Sequence, residues 1–189
     1  MQHLKQMLYA PNQLTLLRLV FIPPVILFIL YGDYSTALWL VLLAGITDGL
    51  DGLLARRLHQ QTTLGTYLDP VADKLLLSSS FVALGVVHEL PLWLLILVLS
   101  RDTIIIATVL VVVLTTSLRS FQPSIYGKAN TLAQLSTVVL TLAVLRNSGE
   151  TLRWLQQAGV YATATLTVIS GLHYAFVTAE KLRKMDTAS

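Results

Sequence analysis

The sequence predicts an all-α integral membrane protein: six transmembrane helices with a short N-terminal interfacial helix. Three observations carry that prediction. Hydrophobic residues make up 54% of the chain and charged residues only 12%, about half the charged fraction of a soluble domain. Apolar stretches close to the roughly 20 residues needed to cross a bilayer recur along the chain. Short polar connections separate them, so neighbouring helices should run antiparallel.

The first span is read at Leu14–Tyr31. Arg18 near its start and Pro23-Pro24 within it argue against a cleaved signal peptide. The prolines predict a kink. Before it, Leu4, Met7 and Leu8 alternate with Gln2, Lys5 and Gln6, a pattern that suits a helix lying in the interface. The remaining spans are read at Thr36–Ala55, Tyr67–Val87, Leu92–Thr115, Ala129–Leu145 and Leu155–Val177. The whole is one domain: an interfacial segment over 1–13, a six-helix bundle over 14–178 and a basic cytoplasmic tail over 179–189. No internal repeat is visible.

An even number of spans puts both termini on one side. Lys5, Arg56, Arg57, Arg119, Lys128, Lys181, Arg183 and Lys184 fall on that side, and only Arg146 and Arg153 on the other. The positive-inside rule then predicts an integral membrane protein, in a cell inner membrane or its equivalent, with both termini in the cytoplasm. The net charge of +3 fits a cytoplasmic membrane face and anionic membrane lipids, not nucleic acid. The chain has no cysteine, which excludes disulfides, thiolate metal sites and thiol nucleophiles. His3, His59, His88 and His173 show no metal-ligand spacing.

Carboxylates are scarce, yet four crowd one place. Asp48 and Asp51 end the second span and Asp69 and Asp73 open the third. Spacings of three and four put each pair on one helix face. A hairpin through Arg57–Leu64 brings the pairs together at the cytoplasmic boundary. Four acids cannot sit there ionised without cations, because each raises the pKa of the others. All-oxygen ligation suits Mg²⁺, Mn²⁺ or Ca²⁺ and argues against structural zinc. Four carboxylates suffice for two ions, as in many phosphoryl-transfer centres. Gly45, Gly49 and Gly52 share one side of the second helix. Gly52, beside the acids, permits close approach of a ligand, whereas Gly45 suits helix packing. Arg56, one turn beyond, suits bidentate binding of phosphate, its bland alternative being a snorkelling interfacial side chain.

The pattern D-x-x-D-G-x-x-A-R…G-x-x-x-D-x-x-x-D, carried by Asp48, Asp51, Gly52, Ala55, Arg56, Gly65, Asp69 and Asp73, resembles the signature of the CDP-alcohol phosphatidyltransferase family. The six-span layout is similar too. The resemblance implies two divalent ions, Mg²⁺ or Mn²⁺, held by Asp48, Asp51, Asp69 and Asp73, with Asp73 also the general base. It implies that Gly52 makes room for the cytidine nucleotide and Arg56 holds its pyrophosphate. The implied reaction transfers a phosphatidyl group from CDP-diacylglycerol to an alcohol and releases CMP. A homodimer with a cavity opening to the cytoplasm is the family habit.

Around the first span, Pro11-Asn12-Gln13-Leu14-Thr15-Leu16-Leu17-Arg18 resembles the family's P-N-x-L-T-x-x-R entry. Asn12, Thr15 and Arg18 are therefore candidate substrate contacts, with helix capping an alternative for Asn12. Arg101-Asp102 lies mid-span, where buried charges need partners or water. Adjacent residues diverge by about 100° on a helix, so the two should not satisfy only each other. Arg101 is read as lining the cavity, and Lys128 as holding an acceptor phosphate or anchoring to anionic headgroups. The Arg101-Asp102 pair and Lys128-x-Asn130-Thr131-x-x-Gln134 resemble the eukaryotic-type cardiolipin synthase branch more than the phosphatidylglycerophosphate synthase branch. The expected acceptor is phosphatidylglycerol, the alternative glycerol 3-phosphate. From another class, intramembrane carboxylates also mark cation or proton transporters, but those sites lie between repeated halves, and no repeat is present.

Overall fold

A computed structural model describes the backbone of residues 10–58, 63–115, 125–147 and 149–186, and the side chains of 16–47, 71–108, 125–147, 149–180 and 183. The described residues form six helices and no strand: α1 (Ala10–Leu30), α2 (Tyr34–Leu58), α3 (Thr63–Val86), α4 (Leu92–Thr115), α5 (Ile125–Arg146) and α6 (Glu150–Asp186). They correspond one to one with the six apolar stretches. Two stretches with described side chains, Ile125–Arg146 and Glu150–Glu180, are long and apolar enough to cross a membrane; Leu16–Leu30 and Tyr34–Thr47 are shorter apolar helices.

The differences from expectation lie at helix ends. α1 begins at Ala10, so Asn12 stands inside the first turn and is not the N-cap. Pro11 permits this, because its missing N–H has no partner to lose in a first turn. Residues 1–9 of the expected interfacial helix lie outside the described residues. The helix runs unbroken through Pro23 and Pro24. The fifth helix, read as the shortest span, has 22 residues. α6 has 37 residues and absorbs most of the expected tail, since Ala-Glu-Lys-Leu-Arg-Lys contains only good helix formers.

Three tight hairpins, α1–α2, α3–α4 and α5–α6, gather at one end of the bundle. At the first, Gly32 takes a left-handed φ of 79°, and Asp33 N donates to Phe28 O at 2.9 Å. This is the Schellman stop that glycine favours. At the second, His88 occupies the same position with φ 61°, and Glu89 N donates to Leu84 O at 2.9 Å. A non-glycine residue there is strained. Asp33 then caps α2, accepting from Thr36 N at 3.1 Å. Hydrogen bonds from the Thr36 hydroxyl and N–H hold the Asp33 carboxyl below the ordinary carboxylate value.

Packing divides the bundle along its length. Toward the hairpin end lies an apolar core that includes Val25, Ile29, Val41, Phe81, Leu84, Leu94, Val98 and Leu142. Trp39, Trp93 and Trp154, all the tryptophans of the chain, are exposed at that end, and Arg146 lies over the Trp39 ring at 5.9 Å. Exposed amphipathic rings of this kind are enriched at membrane interfaces. Toward the other end the buried residues become polar: Arg18, Asp102, Asn130, Gln134, Thr167 and Ser170. α1 packs against both α2 and α3, α5 against α2 and α6, and α4 against α3 and α6.

Candidate active site

The site grows out of the polar end of α1, α2 and α3. α2 is helical through Leu58, so Asp48, Asp51, Gly52, Ala55 and Arg56 follow one another on continuous helix. α3 is helical from Thr63, which places Gly65, Asp69 and Asp73 on its first half. Helical backbone at both segments preserves the three- and four-residue spacings that put each acid pair on one face. The side chains of Asn12, Thr15, Asp48, Asp51, Gly52, Ala55, Arg56, Gly65 and Asp69 lie outside the described residues.

Asp73 is described, and its partner is unexpected. Arg18 on α1, only 1% exposed, places its Nη1 2.5 Å from Asp73 Oδ1. Leucine and valine dominate the surrounding helix, so a guanidinium so deeply buried needs an anionic partner. The pair lies between α1 and α3, where a charge-assisted bond fixes both side chains.

One residue further along α3, Lys74 reaches α4. Its Nζ lies 2.9 Å from Asp102 Oδ1, and Arg101 Nη1 lies 2.6 Å from the same oxygen. Arg101 Nη2 also donates to Ser170 Oγ on α6. The adjacent Arg101 and Asp102 side chains do meet, since the long arginine stem bends round to its neighbour, but each also has a partner on another helix. Two cations share one carboxylate here. Lys128 stands exposed on the first turn of α5, and among the described residues no hydrogen bond or ion pair joins it to this cluster.

The sequence reading missed a polar seam between α5 and α6. Thr167 Oγ1 donates to Asn130 Oδ1 at 2.9 Å, and Thr137 and Thr163 hydroxyls lie 2.9 Å apart. Thr163, Thr167 and Ser170 follow helical spacing along α6. That periodicity was available in the sequence, and interhelical hydrogen bonds of small polar residues are its physical meaning.

The donor set bears on a cofactor. Among the described residues no three His, Asp or Glu side chains form a metal-binding group; of the four expected carboxylates only Asp73 is described. Those four supply oxygen alone, which fits a hard divalent cation such as Mg²⁺ or Mn²⁺.

The described residues thus form a helical bundle with acids on the polar halves of α2 and α3 and the buried cations Arg18 and Arg101 at the same end. Comparison with known proteins gives the family: residues 8–169 match the model for CDP-alcohol phosphatidyltransferase. The chain belongs to that family. A relative from Mycobacterium tuberculosis named as a probable phosphatidylglycerophosphate synthase is 38% identical over 86% of this chain and 78% of its own length. A Drosophila melanogaster relative named as a probable cardiolipin synthase (CMP-forming) is 35% identical over 70% of this chain, which spans 46% of that protein. An Aquifex aeolicus relative named CDP-diacylglycerol–glycerol-3-phosphate 3-phosphatidyltransferase is 39% identical over 72% of this chain and 76% of its own length. The chain is thus similar to proteins named for two different products, cardiolipin and phosphatidylglycerophosphate.

Proposed function

We propose that this protein transfers the phosphatidyl group of CDP-diacylglycerol to the free glycerol hydroxyl of phosphatidylglycerol, forming cardiolipin and CMP. Asp48, Asp51, Asp69 and Asp73 would hold two divalent ions, whose chemistry is to neutralise the pyrophosphate and stabilise the departing CMP. Gly52 leaves space for the nucleotide and Arg56 binds its phosphates. Asp73 accepts the acceptor's proton as its hydroxyl oxygen bonds to the lipid-side phosphorus and the bond from that phosphorus to CMP breaks. Arg18 positions the Asp73 carboxylate for that transfer. Asn12 and Thr15 stand on the first turns of α1 as further substrate contacts, and Lys128 faces acceptor phosphate or anionic headgroups. Six spans with both termini cytoplasmic and a homodimeric state complete the reading.

The observation that carries the choice of acceptor is the sharing of Asp102 by Lys74 and Arg101. Among the described residues, two cations on one carboxylate leave one surplus positive charge, one residue along α3 from Asp73. A singly charged phosphodiester balances that surplus, whereas free glycerol 3-phosphate brings nearly two charges from water. The Arg101-Asp102 and Lys128–Gln134 patterns favour the same choice. Glycerol 3-phosphate is the second reading, favoured by the likeness to a relative whose name carries glycerol 3-phosphate. Purified protein given labelled CDP-diacylglycerol with both acceptors at equal concentration decides between them. Cardiolipin as the main product supports the proposal; phosphatidylglycerophosphate as the main product replaces it with the second reading.

A further inference from the structure

Two clefts adjoin at the hairpin end, where the α3–α4 turn meets the start of α6. One, of about 390 Å³, is lined by Glu89, Trp93, Tyr161, Gln156 and Gln157. The other, of about 280 Å³, is lined by Glu89, Arg153 and the same two glutamines. Glu89 and Arg153 thus carry opposite charges around one cleft, yet they form no ion pair. Among the described residues, neither they nor the glutamines have a side-chain hydrogen bond. We infer that the joined clefts bind the headgroup of an ethanolamine phospholipid, its ammonium at Glu89 beside Trp93 and Tyr161 and its phosphate at Arg153.

The lining selects that headgroup by charge and by hydrogen bonding. Arg153 suits a phosphate oxygen. Glu89 across the cleft repels a headgroup that is anionic throughout and attracts one that also carries a cation. Trp93 and Tyr161, with ring centroids 6.4 Å apart, add aromatic surface for that cation. The glutamines decide which cation. Their amide oxygens accept from N–H groups and their amide nitrogens donate to phosphate. A primary ammonium uses both roles, whereas a quaternary ammonium has no N–H to give. The acid is also held in place. His88 keeps its left-handed φ of 61°, and Glu89 N and Leu90 N both donate to Leu84 O, at 2.9 and 3.3 Å. Strain of this kind collects at ligand clamps, and a fixed backbone leaves little ordering to be lost on binding. The exposed Trp93 suits the headgroup level of a membrane.

The chain has three tryptophans, so Trp39→Phe with Trp154→Phe leaves Trp93 as a single reporter inside the cleft. That full-length protein, in detergent micelles, is titrated with short-chain phosphatidylethanolamine, phosphatidylcholine or phosphatidylglycerol, and Trp93 emission is followed. Phosphatidylethanolamine should give a saturating change, with the other two lipids binding about tenfold more weakly. Glu89→Gln and Arg153→Gln should each weaken it about tenfold, the worth of a charge-assisted hydrogen bond at a partly exposed site. Glu89→Asp and Arg153→Lys, which keep the charges, should bind more tightly than those neutral variants. Equal response to all three lipids, or unchanged affinity in Glu89→Gln, overturns the inference. Soluble phosphoethanolamine competing at the same concentration as the lipid would make the ligand a free zwitterion and overturn the lipid. The chain has no cysteine of its own, so efficient disulfide linkage of two copies through Gln157→Cys would make the clefts a subunit interface and overturn it too. Binding is read without turnover, so none of these outcomes depends on the acceptor.

Discussion

The two ends of this bundle solve opposite problems. At the hairpin end, Phe81, Leu84, Leu94 and Leu142 are fully buried, helices are closed by tight stops at Gly32 and His88, and stability comes from close packing. At the other end the same six helices bury Arg18, Asp102, Asn130 and Gln134. Lipid offers polar groups no partners, so each of those side chains needs one inside the protein. The pairs Arg18–Asp73 and Lys74–Asp102–Arg101 meet that need for the charged side chains across helices, and Thr167 meets it for Asn130 Oδ1. The lesson is a division of labour: one half holds the helices together, and the other uses that rigidity to keep charges in place beside the chemistry.

The comparison breaks most visibly at Asp73. Asp73→Asn keeps the side chain's size but takes the anion from buried Arg18, so it should cost stability, and in the molecules that remain folded it should lower phosphatidyl transfer by about 10²–10⁴-fold, the usual worth of general-base catalysis. Transfer above half the wild-type rate, measured on protein of unchanged helicity, would remove Asp73 from that role. Asp102→Asn should act on stability as well, because it leaves Lys74 and Arg101 facing each other. Removing one partner of a buried ion pair costs about 3–5 kcal/mol, and the 39% exposure of the Lys74 side chain puts this case at the lower end. Denaturant titration in detergent reads the loss. Combining it with Arg101→Gln should recover part of the stability without restoring transfer.

Leu84→Ala sharpens the contrast from the other side. It should cost about 2–5 kcal/mol through the cavity it leaves, while the turnover of the molecules that remain folded stays near wild type. A matched loss of specific activity would show that the two halves are not separable. The smallest effect belongs to Asp33, whose folded-state pKa is lowered by Thr36. Its capping stabilisation is complete above the ordinary carboxylate pKa and is lost as pH falls through the lowered folded value. Asp33→Ala should therefore melt slightly below wild type at neutral pH, and the gap should close in acid.

The sequence made the helices and the acid motif legible because both depend on local spacing. Apolar length marks each span, and the separations of Asp48 from Asp51 and Asp69 from Asp73 need only helical geometry to have meaning. What escaped depends on which helices touch. Arg18 and Asp73 stand 55 positions apart, and only the packing of α1 against α3 brings them together. Arg18 therefore reads as a candidate substrate contact when taken alone. The need for an intramembrane cation to find an anion pointed toward a pairing but could not choose among the acids. Lys74 and Asp102 are a similar case, 28 positions apart. The stop at His88 was hidden for a different reason: glycine normally announces a left-handed residue, and histidine does not.

The account stands or falls on whether the acid-rich end is a metal-dependent transfer centre. The direct measurement is CMP release from CDP-diacylglycerol by the purified protein with phosphatidylglycerol present, first in EDTA and then after addition of Mg²⁺ or Mn²⁺. The account predicts no turnover in EDTA, recovery on adding either ion, and no recovery in Asp48→Asn, Asp51→Asn or Asp69→Asn. Full CMP release in EDTA would contradict it.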